Sequence, residues 1–222
     1  MEVMKIGADL RLAFPVRWVE LPVLRKFGES DEDWAKREGE TTLEPSIWAY
    51  HTPINRSVFE ANYRAISAAY TSIWSKGQLF VLNTGPIIAT LALRSAARED
   101  ALESGVDMKG DAAMPLLSEI KRLTMIVAPG KSGYDPLPVD VAIRQNVIDA
   151  EDWTEAEAAV VFFTCAYWMA KKKDRQSAVE GLARVVLKGS ITSSALTEFI
   201  ASLPTLTRVE TSAALIPSLV PS

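Results

Sequence analysis

The chain has 222 residues, 48% of them apolar and 23% charged, with a net charge of −4 at pH 7; that balance belongs to a folded chain, long enough for one large domain or two small ones, and not to a disordered one. A sequence pI near 5.2 and scattered basic residues give no electrostatic footprint for nucleic acid or an anionic membrane. The single cysteine, Cys165, and single histidine, His51, exclude an intramolecular disulfide framework and any multi-cysteine or multi-histidine metal site, so neither metal nor cofactor is expected.

The N-terminus carries acids early and no long apolar stretch, which argues against a secretory signal and makes the cytoplasm the simplest address. Leu10, Leu12, Phe14 and Val16 then alternate with Arg11, Ala13, Pro15 and Arg17, the period of a short strand, with Pro15 favouring an edge. Residues 28–44 are dense in charge and predict an exposed loop with one helical turn around Trp34. Residues 1–50 are therefore expected to form a small β and loop element.

A helical domain is expected over residues 51–204. Ser57 and Glu60 are spaced for a capping box, and Phe59, Tyr63, Ile66, Tyr70 and Ile73 follow at steps of four and three, a one-sided helical stripe that Gly77 would end. Core packing explains such a stripe first; a seam for another chain is the functional alternative, although it is too short for a coiled coil. Pro86 suits the first turn of a further helix running towards Gly105. Another is expected over residues 112–126, turning Met114, Leu117, Ile120, Leu123 and Met125 to a core. Residues 128–140 hold three prolines and two glycines, which predict a loop and the best sub-boundary.

The segment from Asp152 to Asp174 carries the strongest helical signal. Asp152 and Glu155 can form a capping box, no charge interrupts residues 158–170, and bulk surrounds the whole circumference, as in a helix buried on nearly all sides. Thirteen residues would cover only about 20 Å against roughly 30 Å of hydrocarbon, so this is a core helix, or one buried by a partner, and no membrane span. Lys171, Lys172 and Lys173 suit its C-terminus. Shorter helices are expected over residues 177–188 and 193–202, followed by an apolar, proline-broken tail over 205–222.

Chemistry-bearing constellations are sparse. Gly130-Lys131-Ser132 follows an apolar run in the manner of a phosphate-binding loop, but the position that should hold the first glycine is Met125, and prolines follow where a helix is needed. Cys165 sits among Phe163, Ala166 and Trp168, an apolar setting that makes a thiol inert. The acidic pairs fall in loops or at helix ends, where solvation and the helix dipole account for them. No catalytic residue is assigned. The six tryptophans exceed what a core of this size needs, which leaves some for partner contacts.

With its short β-like N-terminus, a helical body carrying the stretches at 52–70 and 155–174, and an apolar tail, the chain resembles the tail assembly chaperones of long-tailed bacteriophages. The resemblance implies a non-catalytic helical protein in the host cytoplasm that keeps the tape measure protein soluble and recruits tail tube subunits, in some members as two lengths made by ribosomal frameshifting. A chaperone of this kind needs apolar surface in reserve, for which the uncharged helix over residues 158–170, the Tyr63, Tyr70 and Trp74 stripe, and Leu215, Ile216, Leu219 and Val220 of the tail are the candidates. A homo-oligomer is compatible with the same surfaces. The alternative is a structural tail or connector subunit of the finished particle, and the third reading is a nucleotide-binding enzyme. The expected fold is mainly α, with about six helices and a small N-terminal β element.

Overall fold

Alternating residues that become buried on opposite faces build a sheet through the middle of this protein. The structure, a computed structural model, describes residues 10–75, 78–105, 110–131 and 133–204, with the backbone alone over 78–85. The chain order is β1 (Arg11–Pro22), α1 (Asp31–Arg37), β2 (Thr41–His51), α2 (Arg56–Ala61), α3 (Tyr63–Ser75), α4 (Gln78–Glu103) and α5 (Met114–Arg122). It continues through β3 (Thr124–Pro129), β4 (Tyr134–Pro138), α6 (Val139–Arg144), α7 (Ala150–Met169), α8 (Arg175–Val185), β5 (Ser190–Thr192) and α9 (Leu196–Ser202). The strands form one antiparallel sheet in the order β4-β3-β2-β1-β5.

The expectation of a mainly α fold with a small N-terminal β element is overturned by this sheet. The fold is mixed α/β: β1 and β2 share one sheet with three strands from beyond His51, within the region expected to be helical. Its physical basis is visible in the residues. Thr124, Ile126 and Val127 are β-branched and stiff at χ1, which suits a pleated strand better than a helix end, and α5 accordingly stops at Arg122 with Leu123 as its C-cap. The proline-rich segment that reads as a loop supplies β4, an edge strand that pairs only with β3; an edge is where a strand tolerates Pro136 and Pro138.

One face of the sheet presents Leu12, Phe14, Ile47, Ala49, Ile126 and Ala128 to the main core, which also contains Ile66 and Ile73 of α3, Leu93 of α4, Leu117 and Ile120 of α5, and much of α7. The opposite face presents Ala13, Tyr50 and Val127 to a smaller cluster around Phe199 of α9. Trp48 meets Phe199 edge-on at 5.8 Å, and Tyr50 lies 5.2 Å from the same ring. A one-residue slip in β2 would exchange these two sets, so the register is held from both sides.

α7 is the central helix. Residues 158–167 are buried without interruption, and the full burial of Val160, Val161 and Phe162 contributes about 1.5–3 kcal/mol for each side chain. Its cap lies three residues earlier than the sequence pattern suggests: Asp149 Oδ1 accepts from the Asp152 amide at 2.8 Å while Asp152 Oδ2 accepts from the Asp149 amide at 2.9 Å. Asp152 thus serves as the third residue of the capping box and not as the cap itself. Similarly, α2 is capped by Asn55, whose Oδ1 accepts from the Val58 amide at 2.9 Å, while Ser57 only donates its hydroxyl to that same oxygen. α4 begins before Pro86 and carries it inside. Among the described residues no helix is long and apolar enough to cross a membrane.

Candidate partner-binding surface

The predicted stripe divides once the backbone is in place. A break at Asn62, whose Nδ2 donates to the Val58 carbonyl at 2.8 Å, puts Phe59 in α2 and the rest in α3. On α3, Ala65, Ile66, Ala69 and Ile73 are buried. Tyr63, Tyr70 and Trp74 fall within about 40° of arc of one another at 3.6 residues per turn, along one flank of that buried face. Tyr63 is 51% exposed and Trp74 44%, whereas Tyr70 is half-buried against the core.

The three rings belong to two clusters. Tyr63 meets Phe59 edge-on at 5.7 Å, and Phe59 stacks on Trp168 with ring centroids 4.7 Å apart. The Arg175 guanidinium caps this group, 4.3 Å from the Tyr167 ring centroid and 5.2 Å from that of Trp168, a cation–π arrangement. Tyr70 pairs with Trp74 at 5.9 Å. The structure therefore brings Tyr70 and Trp74 together and gives Tyr63 to a different group of rings. Leu215, Ile216, Leu219 and Val220 lie outside the described residues.

A second surface is more extensive, and the sequence pattern misses it. Beyond the Arg17↔Ile47 pair, β1 and β2 pair only with each other, because β5 reaches only Arg11–Ala13 and β3 only Trp48–His51. The register shift around Val16 marks where this two-stranded arm leaves the five-stranded sheet. From residue 16 to residue 46 nothing is buried. The arm nonetheless carries Trp18 at 45% exposure, Leu24 at 80%, Phe27 fully in solvent and Leu43 at 64%. α1 sits in its tip connection, capped by Ser30. The Arg25–Asp31 and Arg37–Glu29 ion pairs, at 2.5 and 2.6 Å, tie that tip together. A charged residue next to each apolar one, Arg17, Glu20, Arg25, Lys26 and Glu44, conceals the arm from a search for periodicity; the signal that could have found it is the apolar spacing Trp18, Leu21, Leu24 continued into Phe27.

The residues that could carry chemistry occupy other places. His51 ends β2 with its ring wholly buried, edge-on to Phe163 at 6.0 Å. Thr124 donates its hydroxyl hydrogen to the Ile120 carbonyl at 2.8 Å, so the 2.9 Å contact between His51 Nδ1 and Thr124 Oγ1 requires the ring nitrogen to donate. That fixes the tautomer and leaves Nε2 as a bare lone pair, which meets no hydrogen-bonding group among the described residues. Burial holds the imidazole down to about 3 from its ordinary 6.5, so it stays neutral. Cys165 is also buried, its thiol pushed up to about 12 by desolvation. Gly130 and Lys131 belong to the turn between β3 and β4, where the Gly130 amide donates to the Gly133 carbonyl. This turn joins two antiparallel strands and does not lead into a helix N-terminus of the phosphate-binding kind.

Among the described residues no group of three or more His, Cys, Asp or Glu is arranged to hold a metal ion. Comparison of the chain with protein-family models, curated proteins and solved structures finds no significant match.

Proposed function

We propose that this protein is a non-catalytic protein–protein interaction factor, and specifically a phage tail assembly chaperone that acts in the host cytoplasm on the tape measure protein and tail tube subunits. The observation that supports an interaction role is the β1–β2 arm: residues 16–46 include no buried residue yet expose Trp18, Leu24, Phe27 and Leu43. A two-stranded ribbon is only marginally stable alone. Large apolar side chains held out on such a ribbon have their use in a contact with another chain, where aromatic and aliphatic anchors supply most of the binding energy. The Tyr63 and Trp74 flank of α3 adds a second aromatic surface of the same character.

The phage assignment rests on the likeness of layout, and its test is compositional. Mass spectrometry of purified virions should lack this chain, while the cytoplasm of infected cells should contain it bound to the tape measure protein. Its presence in the finished particle would favour a structural tail or connector subunit. A genome without a long tape-measure-like reading frame immediately downstream would end the chaperone reading.

A further inference from the structure

We infer that the outer face of the β1–β2 arm is the contact through which two copies of this chain pair, arm on antiparallel arm about a twofold axis. The inference rests on the reading of the arm as a protein-binding surface and commits that surface to a second copy.

The arm has two unlike faces. In an antiparallel ribbon, residues directly opposite share a face, and so do alternate residues along each strand. The pairs Trp18↔Pro45 and Glu20↔Leu43 therefore stand on one side, with Val19↔Glu44 and Leu21↔Thr42 on the other. Exposure follows the same alternation: Trp18, Glu20, Pro22 and Leu24 are exposed, whereas Arg17, Val19, Leu21 and Val23 are partly buried. The partly buried side is the one from which Arg17 reaches Asp152 at the start of α7. The outer side carries Trp18, Pro22, Leu24, Leu43 and Pro45 around a single charge, Glu20, and no described residue covers it.

Two strands alone are marginal, and a sheet with one open apolar face gains stability from a second layer about 10 Å away. A second copy brings a layer of the same length and the same apolar character, and in a twofold pair every contact is made twice. Charge sets the alignment. Glu20 has no ion pair among the described residues. The Lys26 ammonium, two residues past Leu24, has none either: only its backbone amide bonds Glu29, whose carboxylate Arg37 already holds at 2.6 Å. A parallel stack would lay Glu20 on Glu20 of the second copy, which repels. An antiparallel stack centred between Pro22 and Leu24 lays each Glu20 on Lys26 of the other copy, so that both open charges are paired. The same alignment sets Leu24 against Pro22 and brings Phe27, fully in solvent in the single chain, onto Trp18 of the second copy. Both sides of this contact are thus residues of this chain, and they complement each other in apolar surface and in charge.

Sedimentation equilibrium on the full chain is the test. It should show a monomer–dimer equilibrium with a dissociation constant of about 1–10 μM, as suits a small interface. Phe27→Ser and Trp18→Ser should each weaken pairing about tenfold or more; Phe27 touches nothing in the single chain, so its variant keeps the fold, as circular dichroism should show. Glu20→Lys alone and Lys26→Glu alone should each weaken pairing about tenfold. The two combined in one chain should restore it to within about threefold of wild type, since the charges are exchanged and not lost. A chain that stays monomeric at about 100 μM, a dimer indifferent to both ring variants, or a charge exchange that restores nothing would overturn the pairing. A monomeric chain whose Trp18→Ser variant loses the tape measure protein would remove the second copy and leave the binding-factor reading intact. A monomeric chain whose variant keeps that protein would remove both.

Discussion

Arg17 and Asp152 join the sheet to the central helix: Arg17 Nε, at the register shift of β1, donates to Asp152 Oδ2 at 2.8 Å, and that same oxygen accepts from the Asp149 amide in the α7 capping box. One carboxylate thus starts the most buried helix and anchors the strand where the arm leaves the sheet. The Arg17 guanidinium is raised above its ordinary range, chiefly by this hydrogen bond.

Asp152→Ala leaves Asp149 as the cap and removes the reciprocal half of the capping box, so it should cost about 0.5–1 kcal/mol, the lower part of the range for a lost cap, and lower the melting temperature by about 1–4 °C. Arg17 is 40% exposed, so screening keeps the ion pair itself below about 1 kcal/mol, and the hydrogen bond from the Asp149 amide shares the loss with it. A double-mutant cycle with Arg17→Ala measured by urea unfolding checks the division: the coupling should exceed about 0.5 kcal/mol. Purely additive effects would show that the two groups act independently.

The central helix is legible in the sequence because an uncharged run of that length, led in by acids and closed by three lysines, suits a buried helix and little else. Residues 158–167 are indeed buried as the composition of that run implies. The cap is not legible to the residue, because Asp149 and Asp152 offer the same chemistry and only the backbone turn chooses between them. β2 is hidden for a different cause. Its outer half, Thr41 to Pro45, lies on the arm with Glu44 in solvent, while only its inner half, from Ile47 to His51, enters the core, so no strand periodicity runs its full length. β5 has three residues, too few for any pattern. Exposure of Trp18 and Trp74 against burial of Trp153 is not readable at all, since the residue type is the same and tertiary packing alone separates them.

Stability should decline through mildly acidic pH because of His51. Its folded-state value is depressed to about 3 against an ordinary 6.5. The unfolded chain therefore binds a proton below pH 6.5 that the folded chain refuses, and stability that is complete above 6.5 is lost as pH falls towards 3. The slope approaches about 1.4 kcal/mol per pH unit, or about 3 kcal/mol between pH 6.5 and 4. Asp149, lowered from 3.8 chiefly by its hydrogen bond from the Asp152 amide, and Glu119, lowered from 4.5 chiefly by its hydrogen bond with Arg122, add their losses only at still lower pH, as pH falls through their folded-state values. Urea midpoints taken from pH 7 to pH 4.5 isolate the histidine. In His51→Gln the curve over that window should be flat; a slope unchanged from wild type would assign the decline elsewhere.

Two glycines should respond to alanine with opposite signs. A Cβ at Gly189 would stand 2.8 Å from the Ala13 carbonyl oxygen, where β5 crosses close to β1, and backbone cannot move aside as a side chain can. Gly189→Ala should cost about 1–3 kcal/mol and speed hydrogen exchange at the Arg11–Ala13 amides that pair with β5. Gly181 lies exposed inside α8 with nothing within 4 Å of an added Cβ, so Gly181→Ala should stabilise by about 0.4–1 kcal/mol through the unfolded chain and helix propensity. Thermal melts of the two variants side by side provide the check.

Cys165 reports on the integrity of α7. It is 1% exposed, lies in the middle of the uncharged run, and has its thiol pushed up to about 12, so at pH 8 almost none is thiolate and no reagent reaches it. Ellman's reagent should leave the native protein unlabelled over hours and titrate one thiol per chain in guanidinium, matching the single cysteine of the sequence. The rate at intermediate denaturant then measures opening of the central helix. Since Phe162 and Phe163 are buried in the same core as Leu12 and Ile126 of the sheet, that opening should follow global unfolding; fast labelling of the native protein would instead show α7 coming away from the sheet while the rest stays folded.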